Sequence, residues 1–344
     1  MKTTTVLGLV FALVIMSCKN EQKQEVANEK NFDFSIAVGS CNNVSLPNEL
    51  WDDMIDLNPD VFVWGGDIVY ADGGDMNTLK LQYEQQNNDA AYQKLKEQTE
   101  VIGTWDDHDY GLNDGGRNFE DKDESQQLFL DFLGVSNEDP RRNQQGVYHS
   151  KTYQVKDAKI KVIVLDTRYF RSDLTKDPSG EKRYIPNPNS EGTMLGDAQW
   201  SWLEQELLEP RIDYNVIISS IQFLSSEHGF ESWGNMPHEV QKFTDLLKST
   251  GASNVMIVSG DRHISEFSKL NNEDLAYPLV DFTSSGLTHS YTSFESETNP
   301  YRVGEVVSDR SFGLLGFNLK AKRVSFSIHL DSLPFKQELL INYN

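Results

Sequence analysis

The chain has 344 residues and carries 31 Lys plus Arg against 53 Asp plus Glu, a formal net charge of −22. That acidity sets it against duplex nucleic acid and anionic headgroups as bulk partners, so no nucleic-acid partner is expected. A small anionic substrate would need local positive charge, which cations held by clustered acidic side chains supply.

Residues 1–17 read as an export signal: Met1-Lys2 is basic, Val6 to Met16 is apolar, and Ser17 precedes Cys18. The apolar run is too short to cross a bilayer. Ile15-Met16-Ser17-Cys18 resembles a bacterial lipobox, so Cys18 is expected to carry lipid and to tie the protein to the cell envelope, on the periplasmic side or the cell surface. A cleaved signal with an incidental cysteine is the alternative. Residues 18–31 are nearly all charged or amide-bearing and read as a flexible tether. From residue 32 to 344 a single domain is expected. Its one remaining cysteine, Cys41, has no partner for an intramolecular disulfide, and is either buried and inert or committed to a metal.

The domain alternates strand-like and helix-like segments. Apolar runs at Phe34 to Val38, Asp60 to Trp64, Thr99 to Thr104, Ile160 to Leu165, Val216 to Ile221 and Val255 to Val258 each end in polar residues. Helical stretches are expected over Asn48 to Leu57, parts of Asp75 to Glu100, Glu124 to Leu133, Asp197 to Leu208 and His238 to Ser249. The alternation implies an α/β fold, in which the polar clusters converge in the crevice beyond the carboxyl ends of the strands. Tyr277 to Phe282, Gly313 to Leu319, Val324 to Leu330 and Gln337 to Ile341 read as a closing run of antiparallel strands.

Three clusters carry metal-competent side chains. Gly66-Asp67-Ile68-Val69-Tyr70 sets a carboxylate at a strand end and a phenol three residues on, although Gly-Asp is also a common turn. Asp106-Asp107-His108-Asp109 follows an apolar run, and adjacent carboxylates repel unless a cation or proton intervenes. Asp261-Arg262-His263 places two candidate ligands at i and i+2 on one side of an extended segment.

Together these blocks resemble the calcineurin-like metallophosphoesterase superfamily, and within it the alkaline phosphatase D (PhoD-like) branch, in order from Gly39 to about Leu287. The chain departs from the general superfamily pattern at Ser40-Cys41-Asn42, at Asp106-Asp107-His108-Asp109, at Gln222 and at Gly260-Asp261-Arg262-His263, and these departures are what the PhoD-like branch shows. Asp67-x-x-Tyr70, Leu165-Asp166-Thr167-Arg168 and Leu195-Gly196-x-x-Gln199-Trp200 add to the match. The resemblance implies a sandwich of two mixed β-sheets flanked by helices, with iron(III) and calcium at the carboxyl ends of the strands. The chain is short for that branch and is expected to lack the extra amino-terminal sandwich domain of some members.

Thiolate and phenolate suit a transition metal, and calcium prefers carboxylate and amide oxygens. On that chemistry Cys41 and Tyr70 go to the iron, Asp67 bridges, Asp107 and Asp261 are shared or calcium ligands, and Asn113 is a further candidate. His263 matches the last superfamily ligand, and His108 the histidine that protonates the leaving oxygen. Arg168 either clamps a phosphate oxygen or forms a salt bridge with Asp166 or a neighbour. His228, in the loop His228 to Trp233, is expected on the pocket rim as a substrate contact.

The function this implies is hydrolysis of phosphoric mono- or diesters outside the cytoplasmic membrane, with a metal-activated hydroxide attacking phosphorus. A phospholipase D-like diesterase at the membrane surface, and a non-catalytic metal- or ligand-binding lipoprotein, are the alternatives.

Overall fold

In the computed structural model, which describes residues 32–332 and 335–343, the first apolar run forms strand β1 (Phe34–Gly39), buried along its whole length. The chain continues through α1 (Leu50–Leu57), β2 (Val61–Gly65), α2 (Met76–Asn87), α3 (Ala90–Gln98), β3 (Glu100–Thr104), α4 (Asp107–Tyr110) and α5 (Lys122–Phe132). Next come β4 (His149–Val155), β5 (Ala158–Val164), the short pair β6 (Thr175–Lys176) and β7 (Tyr184–Ile185), α6 (Gly196–Leu207), β8 (Tyr214–Ile218), α7 (Pro237–Thr250) and β9 (Val255–Ser259). Strands β10 (Ser265–Leu270), β11 (Leu279–Thr283), β12 (Arg302–Val307), β13 (Phe312–Asn318), β14 (Arg323–His329) and β15 (Gln337–Asn342) follow.

Among the described residues the long strands form two sheets, ordered β15-β14-β13-β1-β2-β3 and β12-β10-β11-β9-β8-β5-β4. Each is mixed. In the first, β1, β2 and β3 run parallel while β13 to β15 form an antiparallel meander against β1. In the second, β5, β8, β9 and β11 are parallel, and β4, β10 and β12 pair antiparallel at the flanks.

Side-chain alternation explains why the strands read as unbroken apolar runs. Ile36, Val38, Val61 and Val63 face a core shared with Val162, Val216, Met256 and Phe282 of the other sheet. Their neighbours Ala37, Phe62 and Trp64 point the opposite way, into a second core with Trp51, Tyr92 and Phe129. Trp51, Phe62 and Trp64 meet there edge to face, with ring centroids 5.0 to 5.7 Å apart. The outer face of the second sheet is covered by α6 and α7 through Trp200, Leu203, Phe243 and Leu247. The result is the expected α/β sandwich of two mixed sheets flanked by helices.

The closing run of antiparallel strands needs correcting. Tyr277 to Phe282 does not join the meander: as β11 it lies in the other sheet, parallel to β9. Burial on both faces makes its apolar run indistinguishable by pattern from its neighbours. Strands β4 and β12 carry no apolar run because they are half-exposed edges. The readings made for residues 1–31, including lipid on Cys18 and the tether, lie outside the described residues. Among those described, no helix is long and apolar enough to cross a membrane.

Candidate metal centre

The turns after β1, β2, β3 and β9 meet beyond the carboxyl ends of the strands. Gly66, with φ +97°, lets two of them touch: a Cβ there would sit 2.4 Å from the Asp106 Cβ. Cys41, Asp67, Asp261 and His263 have φ of 57°, 52°, 66° and 54°, the left-handed region that side chains with a Cβ avoid. Four candidate ligands are thus turned into one space at a conformational cost, the pattern found where function dictates backbone geometry.

The side chains converge. Cys41 Sγ lies 3.3 Å from Asp67 Oδ2, and the donor atoms of Cys41, Asp67 and His263 lie within 4.8 Å of one another. The same holds for Asp67 with Asp106, Asp107 and Asp261, and for Asp67 with Asp107 and His108. The Tyr70 hydroxyl is buried beside the Cys41 thiol. Asp67 Oδ1 and Asp107 Oδ1 are buried without a hydrogen-bond partner.

Electrostatics point the same way. Burial pushes the Cys41 thiol up to about 11, with Asp261 adding to the rise against a hydrogen bond from Ser285. Burial and then the Cys41 sulfur raise Asp67 well above the carboxylate range, and burial with Asp107 takes Asp261 to about 7. Asp107 is held low: burial works against it, but Arg168 and His108 prevail. So many acidic groups out of water need cations or protons, and orphaned carboxylate oxygens mark where cations fit. A thiol and a phenol at one end and carboxylates at the other offer donors for two kinds of ion.

The Asp106-Asp107-His108-Asp109 run divides its labour. Asp106 takes Arg168 Nε at 2.5 Å and the Ser220 hydroxyl at 2.6 Å. Asp107 faces the cluster. His108 packs against Tyr70 at a tilt, with ring centroids 4.1 Å apart, and bonds Asp72 through Nδ1 at 2.5 Å. Burial lowers its pKa, but Asp67, Asp72 and Asp107 outweigh that and lift it to about 10. Asp109 points back at backbone N–H groups of Asp106, Asp67 and Ile68.

Of the two roles open to Arg168, the salt bridge is the one this geometry holds. The guanidinium has no exposed surface and pairs with Asp106 and Glu231, the latter at 2.5 Å. Asp166, one of the partners the sequence offered beside an unnamed neighbour, accepts the Arg168 backbone N–H instead, at 2.8 Å. Glu231 also takes Arg171 at 2.7 Å. Asn113 is exposed and touches the cluster through its Nδ2, 3.0 Å from Asp107 Oδ2. His228 bonds within its own loop, to the Ser225 carbonyl and the Phe230 N–H. The turn after β8 contributes Ser220, while Gln222 turns away to Glu266 and Thr283 at 2.9 and 2.8 Å.

The sequence reading had Glu231 only as part of the rim loop His228 to Trp233, and passed over Ser285 and His289. Ser285 Oγ is 3.0 Å from Cys41 Sγ, and the His289 ring stands 4.6 Å from His263 and 5.1 Å from Tyr70. The signal was present: the strand ending at Thr283 runs into Ser284-Ser285-Gly286, the same strand-to-polar change that marked the other turns.

The fold and this donor set define a metallophosphoesterase-like protein. The PhoD-like phosphatase family profile matches residues 36–312, and the chain belongs to that family. Alkaline phosphatase D of Bacillus subtilis (strain 168) is 33% identical over 121 residues, 31% of this chain and 20% of that relative. The chain thus matches about a fifth of that protein's length. A solved structure of PhoD superposes with a TM-score of 0.69 at 18% identity, covering 89% of this chain and 68% of that one. A dimetal phosphatase from Danio rerio follows the same fold at a TM-score of 0.53 and 12% identity, covering 91% and 100%. GAP50, the anchor in the inner membrane complex of Plasmodium, does so at 0.59 and 13%, covering 90% and 89%.

Proposed function

We propose that the protein hydrolyses phosphoric esters at a metal cluster held by Cys41, Asp67, Tyr70, Asp107, Asp261 and His263, with Asn113 as an outlying candidate. The observation that carries this is the convergence of a buried thiol, phenol, imidazole and several carboxylates on one space, with orphaned acceptors among them. Iron(III) suits Cys41 and Tyr70, and calcium suits the carboxylate side with Asp67 between them. When bound, such cations neutralise the ester's charge and acidify a water.

The chain's own groups do the rest. His108, held by Asp72 through Nδ1, is placed to give a proton to the leaving oxygen. Arg168 acts through Asp106, fixing the turn that presents Asp107. His228 belongs to the rim. Lipid on Cys18, a tether over residues 18–31 and a place at the envelope surface complete the reading, which rests on the amino-terminal sequence.

The test is elemental analysis of the purified protein with assays on para-nitrophenyl phosphate and its bis ester, for wild type and Cys41→Ala. Iron and calcium in wild type, with iron and activity lost together in the variant, is the expected result. The ratio of rates on the two esters assigns mono- or diester preference. Wild type that takes up neither metal and stays inactive after refilling overturns the enzyme reading in favour of a binding lipoprotein.

A further inference from the structure

The segment after β11, Ser284 to His289, closes over the Cys41 turn. Gly286 and Leu287 N–H groups donate to the Ser40 carbonyl at 3.2 and 3.0 Å. The Thr288 hydroxyl accepts the Asn43 N–H at 2.8 Å and donates to the Cys41 carbonyl at 3.3 Å. These bonds brace the backbone around Cys41, whose left-handed φ of 57° would otherwise relax.

Ser285 reaches past the backbone to the sulfur. Its Oγ lies 3.0 Å from Cys41 Sγ and accepts the His263 backbone N–H at 2.7 Å. Counting protons gives the direction of the first bond. The Cys41 S–H has its own acceptor in Asp67 Oδ2, 3.3 Å away. A hydroxyl that accepts one N–H still has a hydrogen to give, so the Ser285 O–H points at sulfur. Ser285 has no exposed surface, and no solvent competes for that hydrogen. The bond strengthens when a cation replaces the S–H proton, because the sulfur then carries more negative charge.

We propose, on the reading of Cys41 as a thiolate ligand, that Ser285 is a positioning residue of the metal centre. Its hydroxyl donates to the Cys41 sulfur and aims it, while the same oxygen tethers the turn that carries His263. Cys41, Asp67 and His263 form the trio whose donor atoms share one 4.8 Å neighbourhood, so a single hydroxyl orients two of three candidate ligands of one ion. Groups that hydrogen-bond a ligand from behind set its donor strength and orientation, and their loss weakens metal binding about 10–100-fold.

The full chain titrated with cobalt(II) tests this, because a thiolate bound to cobalt gives a near-ultraviolet charge-transfer band that needs no substrate and no turnover. Wild type is expected to show the band and Cys41→Ala to lose it. Ser285→Ala, which removes the nearest hydroxyl on sulfur and leaves Ser40 at 3.8 Å, moves the band to longer wavelength and weakens cobalt binding about 10–100-fold. Ser285→Thr, which keeps the hydroxyl, returns the band toward wild type. Thr288→Val removes the side-chain bonds to the same turn but keeps the backbone N–H bonds of Gly286, Leu287 and Thr288 and the bond to sulfur, so the turn and the band stay in place. An unmoved band in Ser285→Ala overturns the role of Ser285 alone, and so does an equal displacement in Thr288→Val. A wild type that binds cobalt without the band overturns the Cys41 reading and this proposal together.

Discussion

The Asp109 carboxylate accepts the backbone N–H of Asp67 at 3.2 Å, so a residue in the helical turn after β3 sets the pose of a candidate ligand after β2. The same group takes the Ile68 N–H at 3.1 Å and the Asp106 N–H at 2.6 Å. Burial lifts its pKa to about 7, against the pull of those three N–H bonds. Asp109 never meets the metal space itself, yet it locks two loops that do.

In Asp109→Asn one carboxylate oxygen becomes an NH₂ group that must face a backbone N–H. A buried donor left without an acceptor costs about 1–3 kcal/mol, and looser ligands bind metal about 10–100-fold more weakly. Urea denaturation and metal content measured on the same preparation check both halves. Wild-type values for each would show that Asp109 is not the latch.

Arg168 makes a prediction of the opposite kind, large in stability. It sits between Asp106 and Glu231 with none of the three exposed beyond 2% of side-chain surface. Arg168→Met leaves Asp106 buried without a cation and Glu231 with Arg171 alone, a loss of about 3–5 kcal/mol. The melting temperature should fall steeply. A variant that keeps its stability and loses only affinity for phosphate would restore the clamp role.

For His108 the expected signature lies in the leaving group. If it protonates the departing oxygen, His108→Asn slows hydrolysis of an alkyl phosphate by about 10²–10⁴-fold. It slows para-nitrophenyl phosphate far less, because para-nitrophenolate leaves without help. Equal losses on both substrates would instead assign His108 to holding Tyr70, against whose ring it packs.

How much of this was legible depended on whether a residue's role is local. Cys41, Asp67, Asp107 and Asp261 stand directly after apolar strands, and strand ends in an α/β fold gather in one crevice, so their meeting followed from pattern and topology. The Arg168 partner did not. Asp166 is two residues away in sequence, yet the guanidinium crosses to Asp106 and Glu231, a choice made by packing between elements far apart in the chain. Ser285 escaped for a related reason: a serine acquires meaning only when a sulfur from the far end of the domain is placed 3.0 Å away. Likewise β11 reads like a meander strand, because pattern reports burial on both faces and says nothing of which sheet does the burying.

His149, at the edge strand β4 and away from the candidate metal centre, predicts a pH dependence of stability. Its Nδ1 faces the Val147 carbonyl at 3.1 Å, and its Nε2 is buried with no partner. Burial, and then the positive charge of Arg141, lower its pKa from the ordinary 6.5 to about 4. The unfolded chain therefore takes up a proton on this residue between pH 6.5 and 4 while the folded chain does not. Stability falls as pH drops through that window and levels off below it. His149→Gln removes the titrating group, so its stability measured by urea denaturation should decline less than that of wild type from pH 6.5 to pH 4. Parallel acid limbs for the two proteins would show that the folded state protonates His149 as readily as the unfolded chain.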